Sequence, residues 1–445
     1  QDSSSAASDV YKRQALLFLL FGYPVAFTFA GIGIAFVVLF ADPSQLAQIP
    51  YRIYANMGDN GEGLVLMAVP LFIFMGIILQ RTKLAEQLLE SMGQLFGSVR
   101  GGLAISTVLV GALLAASTGV VGASVVAMGL ISLPVMLRYG YKTELATGTI
   151  AASGTLGQII PPSIVLIILA DVLSVPVGDL FKAALIPGLV LIGSYIVYIL
   201  IYCRIKPDAA PVIESTLSSQ SRRQVIVSAL LAVVPPLALI LIVLGSIFNA
   251  VATPTESSAL GCVGAILLAI LYRKFSLRML WESAHETVKI TAMVFAVLLG
   301  ASIFSMGFAY TGGEHQVEQL LLSIPGEKWG FLITVMLLIT LLGFFLDYIE
   351  ISYIVLPLVY AVVLELGINQ VWFAILVAIN LQTSFLTPPF GFALFYLKGV
   401  APANVQTAQI YRGAIPFILI QLLILATMLV FPHWYGMSAE QPSLW

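Results

Sequence analysis

Residues 151–163 read AASGTLGQIIPPS, and residues 380–391 read NLQTSFLTPPFG. Each stretch puts Ser, Thr and Gly ahead of a Pro-Pro pair in the middle of an apolar segment that a helix should otherwise cross unbroken. Proline removes a backbone donor and clashes with the preceding turn, so both helices are expected to break at these points. At membrane depth the freed N–H and C=O groups are tolerable only where they line a cavity or bind something. A matched pair of such breaks in two halves of a chain is the sequence mark of a transporter's binding site.

The surrounding composition fixes the class. Of 445 residues, 60% are hydrophobic and 9% charged, and the mean hydropathy is +1.02. That is an integral membrane protein. A net charge of −2 points to neither nucleic acid nor an acidic surface as partner. Cys203 and Cys262 lie in or beside apolar segments and read as packing residues, while His285, His315 and His433 are too scattered for a metal or triad cluster. Residues 1–14, QDSSSAASDVYKRQ, are polar and lack an initiator Met. They read as a foreign or mispredicted start and are set aside from the fold.

In chain order, Ala15 to Phe40 and Leu64 to Gln80 are expected spans. Arg81 to Arg100 carries Leu84, Leu88, Leu89, Met92 and Leu95 at helical spacing among charges, the pattern of an interfacial amphipathic helix. Gly102 to Arg138 is apolar but cut at Ser117-Thr118-Gly119, leaving about 15 residues on each side, which suits a re-entrant hairpin. Trp329 to Glu365 is cut in the same way at Asp347-Tyr348-Ile349-Glu350 and makes a second hairpin. Further spans are expected at Lys182–Tyr202, Val225–Gly245, Pro254–Tyr272, Val288–Tyr310 and Arg412–Phe431, with polar loops at Arg52 to Glu62 and around Glu314 and His315. The basic loops Arg204–Arg223 and Arg273–Arg278 lie two crossings apart, hence on one face, which the positive-inside rule makes cytoplasmic.

The two halves share an order of signals: hairpin tip, a Leu-Pro pair (Pro134, Pro357), a Gly turn (Gly140, Gly367), a Pro-Pro break (Pro161, Pro388) and an Ile-Pro pair (Pro187, Pro416). This is an internal repeat; an inverted one is the usual basis of alternating access.

Small hydroxylated residues gather at the tips and breaks: Ser117, Thr118, Ser153, Thr155, Ser163, Thr383, Ser384 and Thr387, with Gly119, Gly154 and Pro388 beside them. Hydroxyl and released carbonyl oxygens suit Na⁺, for which Ser117, Gly119, Ser153, Gly154, Thr155, Asp347, Thr383 and Thr387 are the candidates. The half-helices resuming after Pro162 and Pro389 aim N-terminal dipoles at the same centre, which favours a carboxylate; Ser117, Thr118, Gly119, Ser153, Gly154, Thr155, Thr383, Ser384, Thr387 and Pro388 are the substrate candidates. Each hydroxyl also has a bland reading, a bond to its own backbone. Asp347 either lines the site, serves as a Na⁺ or gating contact, or caps a half-helix. Asp171 and Asp179 read as interfacial. Thr253-Pro254-Thr255-Glu256 has the form of a capping box.

The run from Thr118 to Asp171, with ATPTESSA at 252–259 and LTPPFGFALF at 386–395, resembles the large membrane (M) subunit of tripartite ATP-independent periplasmic (TRAP) transporters. The resemblance covers nearly everything after residue 15. Where that family usually has SGS and then an acid at the first tip, this chain has Ser117-Thr118-Gly119 and no acid; where the family's first break reads SSTIGPIIPPS, this chain has Ser153-Gly154-Thr155-Leu156-Gly157-Gln158. These departures resemble the subgroup labelled for mannitol or chloroaromatic compounds and associated with 2-oxo acids. The resemblance implies an all-α polytopic protein of the bacterial inner membrane, an inverted-repeat elevator-type transporter with two re-entrant hairpins and two broken helices. It also implies Na⁺ as coupling ion with no other cofactor, a small organic acid as cargo, a small membrane subunit (Q) and a periplasmic binding protein (P) as partners. Residues 102–180 and 329–400 would form the transport domain, and 15–101, 181–328 and 401–445 the scaffold and tail. The alternative is a standalone sodium–dicarboxylate symporter that needs neither partner. An intramembrane enzyme lacks His or paired acids in suitable places, and a passive channel would show flux without saturation.

Overall fold

The computed structural model describes residues 23–57, 63–82, 84–96, 99–118, 121–212 and 222–440, so the tail at 1–14, the first part of the expected Ala15–Phe40 span and Gly119 lie outside the described residues. The described chain is all-α: one isolated bridge, Ile368 to Glu440, is its sole β feature. The helices that matter are α1 (Val25–Phe40), α2 (Ala68–Arg81), α3 (Leu84–Phe96), α4 (Gly102–Thr118), α5 (Val121–Arg138), α6 (Thr143–Thr155), α7 (Ile164–Val172), α8 (Val177–Ile205), α9 (Arg222–Phe248), α10 (Pro254–Leu271), α11 (Leu277–Tyr310), α12 (Gly313–Leu322), α13 (Glu327–Leu342), α14 (Tyr348–Glu365), α15 (Gln370–Leu386), α16 (Phe392–Val400) and α17 (Thr407–Val430). Seven of the described helices are long and apolar enough to cross a bilayer.

Local chemistry accounts for most of these boundaries. Thr253 and Glu256 form the expected capping box, with Thr253 N–H donating to Glu256 Oε2 at 2.8 Å and Pro254 at the first helical position. Before Pro357, α14 passes through a π-helical stretch at Ile351–Val355, a relief that a mid-helix proline without an N–H calls for. Both cysteines are buried and unbridged, as packing residues should be.

Three expectations about elements are corrected. Ile49–Met57 is helical where a polar loop was expected, and α12 is a helix where Glu314 and His315 suggested one. Helix α11 begins at Leu277, not Val288, because the charges that look like a loop are paired: Arg81 Nη1 meets Glu282 Oε2 at 2.7 Å and Nη2 meets Glu286 Oε2 at 2.8 Å.

That ion pair also settles the topology. It places the end of α2, and so the base of the first hairpin, on the face where α11 starts, beside the basic loop Arg273–Arg278. The base of this hairpin is closed by Leu103 N–H donating to Tyr141 Oη, and Lys142 N–H donates to Ala209 O at 2.9 Å, which brings the end of α8 to the same face. Helix α11 then crosses once, about 50 Å long at 1.5 Å per residue. The second hairpin, α13–α14, therefore has its base on the opposite face. There the C-terminal tail ties its two ends together, with Lys328 Nζ and Asn369 N–H both donating to Ala439 O. The hairpins enter from opposite faces, so the repeat is inverted.

The helices sort into two groups by packing. Helices α1, α2, α3, α9, α10 and α11 pack on one another, with α1 set against α11 through small residues; a Cβ on Gly33 would lie 2.6 Å from Ile303 O. The second group holds the hairpins and the broken helices, together with α8, which packs on α4, α7, α15 and α17, and α17, which packs on α6 and α15. A Cβ on Gly148 would lie 2.0 Å from Gly413 O, so α6 and α17 meet backbone to backbone. By contact, α8 and α17 lie with the hairpins.

Candidate functional site

The first break forms where α6 ends at Thr155, tightens into a 3₁₀ turn over Leu156–Gln158 and reaches extended backbone at Ser163 before α7 starts. The second forms where α15 ends at Leu386; Thr387 is extended, with φ −91° and ψ 125°, and α16 starts after Gly391. Gly391 has φ +24°, a backbone setting that a side chain would strain. Pro161-Pro162 and Pro388-Pro389 are both cis.

The breaks meet at the centre of the second group. Gln382 Nε2 donates to Thr155 Oγ1 at 3.4 Å, and these two residues are 227 positions apart, the offset that also separates Pro161 from Pro388. The contact therefore joins equivalent positions of the two repeats, as a pseudo-two-fold axis running between the breaks requires. Tyr195 Oη, on α8, accepts from Gln421 Nε2 of α17 at 2.7 Å and approaches Gln382 as well.

Each hairpin packs on the half-helix of the other repeat. Helix α5 lies on α16, where a Cβ on Gly122 would fall 2.9 Å from the Tyr396 ring and one on Gly129 2.8 Å from Val400. Helix α14 in turn contacts α7. The hairpins also rest on the broken helices of their own repeat. A Cβ on Gly111 would come 2.6 Å from Ser153 Cβ, and one on Gly343 would crowd Ser384. Phe345 and Phe390 pack with ring centres 5.0 Å apart and planes tilted by 48°, which sets the second tip over the second break.

Every described candidate hydroxyl takes its bland hydrogen bond. Ser153 donates to Ile150 O, Thr155 to Ala152 O, Ser163 to Gln158 O, Thr383 to Ile379 O, Ser384 to Leu381 O and Thr387 to Thr383 O, at 2.7–3.0 Å. Such a bond spends the proton and leaves the oxygen lone pairs, so it orients a hydroxyl toward a cation without excluding one. Gly154 has a packing reason of its own, since a Cβ there would meet Val125 Cγ2 at 2.3 Å. Ser117 and Thr118 end α4, with Gly119 next in sequence outside the described residues, so the first tip contributes its position alone.

Asp347 caps a half-helix, the third of its three readings, and the other two stay open beside it. Its carboxylate accepts from Tyr348 N–H at 2.7 Å, and Glu350 Oε2 accepts from Asp347 N–H at 3.1 Å: a capping box at the start of α14. Asp347 and Glu350 face a cavity of about 420 Å³ against α1 and α11, none of whose lining residues belongs to either break.

One residue was not credited from the sequence. Gln158 is fully buried in the first break, and neither atom of its amide has a partner among the described residues. A buried amide costs free energy unless something satisfies it. The signal in the sequence was that cost, an amide set in an apolar break where the resembled family carries proline.

Comparison with known proteins agrees with this architecture. Residues 14–434 match the model of the family described as tripartite ATP-independent periplasmic transporter, DctM component. The C4-dicarboxylate TRAP transporter large permease protein DctM of Pseudomonas aeruginosa is 31% identical over 92% of this chain and 94% of its own length. The ectoine/5-hydroxyectoine large permease UehC of Ruegeria pomeroyi is 31% identical over 94% and 95%, and the sialic acid large permease SiaM of Vibrio cholerae 28% identical over 93% and 94%. Among solved structures, the Alcanivorax borkumensis YdaH transporter superposes with a TM-score of 0.61 over 98% of this chain and all of that one at 14% identity, a likeness of fold.

Proposed function

We propose that this chain, which belongs to the DctM component family of tripartite ATP-independent periplasmic transporters, couples inward sodium flow to uptake of a small organic carboxylate by an elevator movement. Membership makes it the large, multi-pass inner-membrane subunit of a secondary transporter rather than an enzyme. Large subunits of this family work with a small membrane subunit and a periplasmic binding protein.

The observation that carries the finer reading is the meeting of the two breaks at Thr155 and Gln382, inside a body formed by two hairpins from opposite faces. Oriented hydroxyl oxygens of Ser153, Thr155, Thr383 and Thr387, with carbonyls released at the breaks, would coordinate Na⁺, a hard cation that takes oxygen ligands. The N-terminal ends of α7 and α16, with Ser384, Pro388 and the Gln158 amide nearby in sequence, would hold a carboxylate. Neither break contains Arg or Lys, so the positive charge facing an anion comes from dipoles and bound sodium, and cargo binding depends on the ion. Asp347 stays a candidate for the sodium set, because a carboxylate that caps a helix start keeps further lone pairs for a cation. Each net positive charge moved across 100 mV releases about 2.3 kcal/mol, so two Na⁺ per monocarboxylate would drive uptake inward.

The second helix group would serve as the moving body and the first as the fixed frame, the frame touching both hairpins through α2, α3 and α11. The relatives carry chemically different cargo by name, so family membership leaves the acid open; the departures at the first tip and break favour a 2-oxo acid. The test is uptake of labelled small carboxylates into proteoliposomes holding this subunit and its small partner, with and without a sodium gradient and the binding protein. Uptake needing both sodium and the binding protein is expected. Uptake without the binding protein would replace this reading with a standalone symporter, and uptake indifferent to sodium would remove the coupling.

A further inference from the structure

We propose that the cytoplasmic end of α11 holds the headgroup of an anionic phospholipid, at a site apart from the two breaks. A cavity of about 460 Å³ opens there, lined by Arg81, Lys274, Ser276, Arg278, Met279 and Glu282.

Its depth is that of lipid headgroups. Beyond Arg81 the chain bends by 62° from the apolar α2 into the amphipathic α3, and an amphipathic helix lies in the interfacial plane. One turn apart on α11, Leu277 and Trp281 are 77% and 75% exposed, and tryptophan prefers the interface. On α10, exposed Leu267, Ile270 and Leu271 form an aliphatic stripe leading up to the loop that carries Lys274. Acyl chains can lie along that stripe while a phosphate reaches the cavity. A soluble phosphate would have no use for it.

The charges fit a monoanion. Arg81, Lys274 and Arg278 stand against Glu282 and Glu286, which leaves one positive charge. The glutamates hold the guanidiniums in place without using all their donors: Arg278 gives its Nε to Glu282 Oε1 at 2.9 Å, leaving both Nη groups. Ser276 accepts from Met279 N–H at 3.0 Å, so its own O–H is free to donate. Basic cavities at the cytoplasmic ends of membrane helices suit anionic headgroups.

The experiment is native mass spectrometry of the full chain in mixed phosphatidylcholine and phosphatidylglycerol. Wild type should retain one phosphatidylglycerol at collision energies that strip phosphatidylcholine. In Lys274→Gln/Arg278→Gln, half-saturation should need about twenty-five-fold more phosphatidylglycerol, from roughly fivefold for each charge near the surface. Equal charge loss in Arg204→Gln/Lys206→Gln, at the cytoplasmic end of α8, should leave retention unchanged. Glu282→Gln should tighten retention, a direction that a misfolded variant would not produce. Equal retention in wild type and Lys274→Gln/Arg278→Gln would overturn the proposal. So would glycerol phosphate competing as well as the lipid, which would make the site one for a soluble anion. Loss of small-subunit copurification with lipid retention unchanged would overturn it too, by making this face a subunit contact.

Discussion

The two breaks are built from the same parts and differ in what covers them. In the first, residues 151–159 and 161–170 are buried throughout, under α4, α5 and α15. In the second, burial stops at Leu386: Thr387 and Pro388 are half-exposed, and Pro389 and Phe390 are exposed. One sequence device thus serves as a closed wall in one repeat and an open edge in the other. An inverted repeat makes this difference useful, because exchanging the open and closed roles of the two breaks exchanges the face from which the centre is reached.

The comparison can be broken most directly by thiol labelling. Phe390→Cys should react with a small maleimide about a hundredfold faster than Leu156→Cys, since exposure governs thiol reactivity and the native cysteines are buried. Equal rates would mean that the breaks are equally covered. Packing gives the next largest effect. Gly157→Val puts a Cβ 2.7 Å from Ala115 O with nothing flexible to yield, and an overpacking cost of about 3 kcal/mol or more should abolish the monodisperse peak in size-exclusion chromatography. Phe390→Ala in the open break should elute as wild type does.

Sodium activation sharpens the comparison further. A ligand to a charged group contributes roughly 1.5–3 kcal/mol, so Thr387→Ala and Ser153→Ala should each raise the sodium concentration for half-maximal uptake by about tenfold while inserting normally. Unchanged activation in both would remove these hydroxyls from the site. The smallest effect lies on the axis itself. At 3.4 Å the Gln382–Thr155 bond is long, and a double-mutant cycle with Gln382→Leu and Thr155→Val should give a coupling of about 1 kcal/mol or less in thermal unfolding. A larger value would show that the two repeats are clasped at that point.

Asp347 and Gln158 show how far side-chain roles could be read in advance. An acid at a hairpin tip looks functional at membrane depth, and the folded chain gives Asp347 a capping role at the first turn of α14, with Glu350 completing the box. Gln158 stands out in the sequence as a departure from the resembled family, and its complete burial without a partner among the described residues gives that departure its weight. Both readings turn on what surrounds the side chain after folding.

By itself the sequence determined the membrane class, the two hairpins, the two breaks, the amphipathic α3 and the capping box at Thr253. These follow from apolar length, proline and glycine, and short-range capping, all of which act within a few residues along the chain. The tertiary structure alone decided that the hairpins enter from opposite faces, that α8 and α17 side with them, and that Thr155 meets Gln382. Those facts depend on pairs far apart in sequence, such as Arg81 with Glu282 and Gly148 with Gly413. No local periodicity records which distant residue a side chain will meet, because that choice is made by the packing of whole helices.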